Sequence, residues 1–150
     1  MPIMLPSLTH IPQALGRSYL LLDVNCLFVA ASLREEIWLF SGQENARLLA
    51  RVCGEAAEFG IRGADPDREL VTYSGGEQAI LACLMVLFLI QAHGLKSRKL
   101  LLCGVLESLS EENLQRLKRR FQTAARTHGI EVHCLRENQI HAVALDPCDF

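Results

Sequence analysis

The sequence predicts an α/β fold in which helices are layered on a mainly parallel sheet. Apolar residues recur at helical spacing over residues 43–59 and 110–128, while short apolar runs at 100–103, 130–135 and 140–145 have the length of strands. Taken in order these segments run helix, strand, helix, strand, strand, which is the signature of α/β layering. Composition agrees: the 150 residues are 50% hydrophobic but only 6% aromatic, which predicts an aliphatic core in a single domain large enough to bury one.

A short helix is expected over residues 33–40. The next, residues 43–59, carries Ala46, Leu49, Val52, Cys53, Ala56 and Phe59 on one face, with Ser41 as its cap and Gly60 as its stop. Residues 60–68, with Gly63, Asp65, Pro66 and Asp67, read as a linker. Residues 79–90 contain no charged or strongly polar side chain. A membrane-spanning helix needs about 20 such residues. This run is shorter and is bounded by Glu77, Gln78, Gln91 and His93, so it reads as a helix buried on all sides.

Gly94 can then supply a left-handed terminus, and Lys96, Arg98 and Lys99 form a solvated turn before the strand at 100–103. In residues 110–128, Leu114, Leu117, Phe121 and Ala124 or Ala125 share a face. Glu111 and Glu112 occupy the first turn and basic residues gather later, as the helix dipole favours, and Gly129 closes the helix. The polar turn 136–139 separates the last two strands.

A net charge of -2 predicts no strong attraction to nucleic acid. The cysteines at 26, 53, 83, 103, 134 and 148 never fall in a C-x-x-C pair, and several lie in apolar runs, which fits a reduced, cytoplasmic protein. His133, Cys134 and Cys148 lack metal-ligand spacing, so no metal site is expected. No basic segment leads into a long apolar core at the amino terminus, and a secretory signal is not expected.

The strongest functional signal is Thr72-Tyr73-Ser74-Gly75-Gly76-Glu77-Gln78 at the start of the apolar helix. Ser74 and Glu77 have the S-x-x-E spacing of a capping box, a spacing that also occurs at Ser32/Glu35, Ser41/Glu44 and Ser108/Glu111. What sets this one apart is the glycine doublet inside it. Each glycine costs roughly 1 kcal/mol of helix propensity relative to alanine, yet together they leave backbone N–H groups and the positive helix end open to an anion.

This run resembles the signature loop of ATP-binding-cassette ATPases. The segment from Leu27-Phe28 to Arg34-Glu35-Glu36-Ile37 is similar to the stretch that opens the helical subdomain of that family, and the order of the later elements matches as well. The resemblance covers residues 25–145. It implies a truncated P-loop NTPase-like architecture: one domain over residues 1–150, with a helical subdomain and linker at 27–70 and the signature helix and α/β part at 71–150. It also implies that Ser74, Gly75, Gly76 and Glu77 contact nucleotide in trans, and it offers Gln13, or alternatively Asp23, as the Q-loop residue.

The departures from the family bear on activity. No G-x-x-x-x-G-K-[ST] Walker A loop occurs, and Gly94-Leu95-Lys96-Ser97 follows a helix instead of a strand. The Walker B carboxylate positions fall on Cys103 and Gly104, or one residue later on Gly104 and Val105; the switch histidine falls on Arg136 or Glu137. The chain therefore has no catalytic residues of its own by this resemblance and is not expected to hydrolyse ATP alone.

It is expected to hold no cofactor alone, with ATP and Mg entering only through a partner: a Walker A-containing ATPase subunit or a second copy of the chain. A transport setting implies a membrane-transport subunit docked around residues 33–59 and a position peripheral to the inner face of a membrane. The alternatives are a scaffolding or regulatory protein that has lost nucleotide, and a head-like domain of a DNA-repair or chromosome-maintenance assembly. An enzyme built on Cys103 or Cys134 with His133 or His141 is disfavoured, because adjacent strand positions point to opposite faces.

Overall fold

Among the described residues, four short strands pair into one sheet, and four helices supply the remaining apolar surface. A computed structural model describes residues 19–93 and 99–143. Strands β1 (Leu20–Asp23), β2 (Lys99–Cys103) and β3 (Glu131–Arg136) run parallel to one another, and β4 (Gln139–Ala142) pairs antiparallel with β3 at the edge. The fold is thus α/β on a mostly parallel sheet. β1 has no counterpart in the elements expected from sequence. Its three leucines are too short a run to declare a strand, and pairing with β2 decides it.

Helix α1 (Leu33–Ser41) is capped by Ser32, whose hydroxyl accepts the Glu35 amide, and it ends on Gly42 in the left-handed conformation. Helix α2 (Ala46–Ala56) corrects one expectation. Ser41 does not cap it; the Ser41 hydroxyl donates to Ile37 O and closes α1, while the Asn45 side chain caps α2 by accepting the Leu48 amide. A single 3-10 turn, Ala57–Phe59, carries the chain to Gly60, whose positive φ makes it the expected stop.

Helix α3 (Gly75–His93) is the centre of the core, with every residue from Ala79 to Ile90 buried. The window Gly75–Ala92 is long and apolar enough to cross a membrane, yet 67% of it is buried within the fold. Aliphatic content with no polar stripe is what a helix surrounded by protein requires. Helix α4 (Glu111–His128) is amphipathic instead, burying Leu117, Phe121 and Ala124 and ending on Gly129.

Side chains alternate across the sheet. Leu22, Leu100, Leu102, Val132 and Cys134 join the helices in the main core, while Leu101 faces the other way with Tyr19, Leu135 and Ile140. Between β3 and β4, Glu137 and Asn138 both take positive φ, the conformation of a two-residue hairpin turn. Of the turn expected at Gly94, Lys96, Arg98 and Lys99, Lys99 instead opens β2; the rest of that turn, the end of the strand expected at 140–145, Cys148 and Gln13 lie outside the described residues.

Candidate functional site

The Ser74–Glu77 turn begins where a tied loop ends. Tyr73 is buried, and its hydroxyl accepts the Asp65 amide at 3.1 Å. The Arg68 guanidinium lies 3.9 Å from the centre of the Tyr73 ring and donates to Thr72 Oγ1 and Thr72 O. Farther back, Arg34 on α1 grips Asp67 through two hydrogen bonds of 2.7 and 3.2 Å, which holds the Asp67 carboxyl below its usual range. The later part of the stretch read from sequence as a linker is therefore tied to α1 through Asp67 and to the Tyr73 side chain through Asp65 and Arg68.

At that start the capping box is complete. The Ser74 amide donates to Glu77 Oε1 at 2.8 Å, and the Glu77 amide donates to Ser74 Oγ at 3.2 Å. Of the four S-x-x-E spacings, only this one forms both bonds. Ser32 caps α1, but the Glu35 carboxylate takes the Ala31 amide instead; Ser41 closes a helix; and Ser110, not Ser108, caps α4. Gln78 reinforces the turn by donating its side-chain amide to Tyr73 O.

The two glycines are not equivalent. Gly75 is exposed, and a Cβ placed on it would meet nothing within 4 Å. Gly76 is half-buried, and a Cβ there would lie 3.2 Å from the Ser108 carbonyl oxygen. Close approach of helix and loop accounts for the second glycine, while packing does not account for the first. Neither residue has positive φ. Among the described residues, no acceptor is found for the Gly75 and Gly76 amides, as is usual for the first turn of a helix.

At the carboxyl edge of the sheet, Asp23 ends β1 directly beside Cys103 at the end of β2. The Asp23 carboxylate accepts the Asn25 amide at 3.0 Å. The Cys103 thiol is pushed up by burial, and the nearby Asp23 and Glu107 carboxylates act in the same direction, so it stays protonated at neutral pH. Gly104 follows with φ of +73°, and a Cβ there would sit 2.6 Å from Val24 Cγ1. A carboxylate-bearing side chain cannot occupy that position on this backbone. Arg136 ends β3 and Glu137 opens the hairpin turn, so neither place matched to the switch histidine holds one.

His133 lies on β3 with its Nε2 3.7 Å from Glu131 Oε2, too long for a hydrogen bond, and that nitrogen is buried without a partner. Among the described residues, no three His, Cys, Asp or Glu side chains are placed to share a metal ion. Sequence reasoning missed Glu36. This carboxylate is buried in α1 and accepts the Val29 and Ala30 amides at 3.0 and 2.7 Å, fixing the segment that enters the helix. An acidic residue in a helix's first turn was the available signal, but nothing local announces that it is buried.

No protein-family model matches the chain, and no curated protein matches it.

Proposed function

We propose that this chain is a non-hydrolytic domain of ATP-binding-cassette type, with a truncated P-loop NTPase-like architecture, that offers the Ser74–Glu77 helix start to ATP held by a partner. The observation that carries the reading is Gly75: an exposed glycine at the first helical position, with open space where a side chain would stand. Its propensity cost serves no contact within the fold, whereas a bare first turn suits close approach of a phosphate. The edge of the sheet complements this, because Cys103 and Gly104 supply no carboxylate for Mg. Metal and attacking water then belong to the partner, and this chain contributes amides, the Ser74 hydroxyl and a shaped surface.

A Walker A-bearing ATPase subunit of a transport complex is the partner this reading calls for. The test is Mg-ATP titration of the isolated chain and of the complex co-purified from its native cell. ATP is expected to bind only to the complex, and Gly75→Asp is expected to lower the partner's ATP turnover at least tenfold. Tight binding of Mg-ATP to the isolated chain, or a partner indifferent to Gly75→Asp, refutes the proposal.

One observation favours a second reading, a scaffolding module without nucleotide. Glu77 already places a carboxylate on the helix N-terminus, 2.8 Å from the Ser74 amide, where it competes with an incoming anion. Thermal stability of the complex that ignores ATP would select this reading.

A further inference from the structure

A concavity of about 280 Å³ opens between β3, β4 and α4. Lys118 reaches it from α4, Arg136 from the end of β3 and His141 from β4. The ladder explains this convergence. Cys134 and His141 are directly opposed partners in the β3–β4 pairing, so their side chains leave the same face of the sheet, with Cβ atoms about 5 Å apart. Arg136, two residues beyond Cys134, shares that face, and it is the face on which α4 packs.

Positive charge in this pocket is under-compensated. Among the described residues Glu107 is the one carboxylate paired with it, at 3.5 Å from Arg136 Nε, and the side chains of Lys118 and His141 make no hydrogen bond or ion pair there. Leu106, Ala142 and Val143 complete the wall and give it an apolar side. We propose that this pocket binds a small phosphate monoester, the phosphoryl group lying among Lys118, Arg136 and His141 and the organic body against Leu106, Ala142 and Val143.

The chemistry selects that class. A dianionic phosphoryl group offers three oxygens to three separate donors, and both the arginine fork and the lysine point charge suit it. A monocarboxylate brings only one negative charge to the same donors. The volume is at the small end for ligand pockets, of order 300 Å³ and upward, so the organic body is short. Cys134 forms the floor with its thiol pushed up by burial, which makes it a contact and not a nucleophile.

Titration of the full chain with phenyl phosphate at constant ionic strength, followed by amide NMR, tests the site. Saturable shifts are expected at Lys118, Ala142 and Val143, with binding at least tenfold weaker for inorganic phosphate and for benzoate. Lys118→Gln and His141→Gln should each weaken binding at least tenfold, Lys118→Arg should retain it, and the distant Arg47→Gln should leave it unchanged. Amide spectra of the free variants establish that each is folded. Absence of saturable binding, binding unaltered by both Gln variants, or inorganic phosphate binding as tightly as phenyl phosphate overturns the proposal. None of these outcomes depends on ATP or on residues 74–77, so the trans-nucleotide reading stands or falls separately.

Discussion

Gly104 and Val24 meet so closely that a Cβ on the glycine would lie 2.6 Å from Val24 Cγ1, and the glycine holds φ at +73°. The contact joins the loop after β2 to the loop after β1 at the carboxyl edge of the sheet, where open α/β folds place ligands. It removes one position from acid–base or metal chemistry by steric means, independently of any resemblance.

Substituting Gly104→Asp is therefore expected to destabilise the chain by about 2–4 kcal/mol, combining a non-glycine residue at positive φ with an overpacked contact. Urea unfolding measures this. No Mg-dependent ATP hydrolysis should appear in the variant, and its appearance would show that the loop rearranges to accept a carboxylate.

The glycine doublet predicts two effects of opposite sign. Gly75→Ala, with open space around the new methyl group, should stabilise by up to about 1 kcal/mol. Gly76→Ala meets the backbone oxygen of Ser108, which has little freedom to withdraw, and should destabilise by about 1 kcal/mol despite the same gain in propensity. Thermal melts of the two variants side by side decide the matter; equal shifts would contradict the packing assigned to Gly76.

Glu36 holds two backbone amides with one buried carboxylate. Glu36→Ala leaves both donors without their charged acceptor and should cost about 3 kcal/mol, while Glu36→Gln, which keeps one acceptor oxygen, should cost roughly half that. Equal losses in the two variants would show that the charge, and not the retained acceptor, is what matters there.

Thiol reactivity should follow burial. Cys26 is exposed and should alkylate first, whereas the Cys83 thiol, fully buried in α3, is pushed up to about 12 from an ordinary value of 9.0. The folded state keeps this thiol neutral while the unfolded chain ionises it. Its contribution to stability is thus intact below pH 9 and is lost as pH rises from 9 toward 12. Denaturation across that window should show a steeper decline for the natural chain than for Cys83→Ala, and parallel curves would contradict the burial of the thiol.

Local pattern was enough for much of this protein. The apolar run at 79–90 announced a helix enclosed by protein, the leucine faces of α2 and α4 followed from a 3.6-residue period, and Gly60 and Gly129 marked helix ends because a left-handed terminus suits glycine. The Ser74–Glu77 capping box was legible for the same reason: both of its hydrogen bonds lie within four consecutive residues.

Tertiary structure decided the rest. β1 is a strand because β2 lies beside it, and Asn45 displaced Ser41 as a cap because α1 runs one residue longer than its pattern suggested. Gly76 is crowded by Ser108, Gly104 by Val24, and Cys134 stands opposite His141, each through approach of segments whose separation along the chain leaves no periodic trace. A sequence displays hydrogen bonds and faces that recur within a few residues. Contacts that depend on how a sheet registers, and on how helices settle against it, become readable only once the chain has closed on itself.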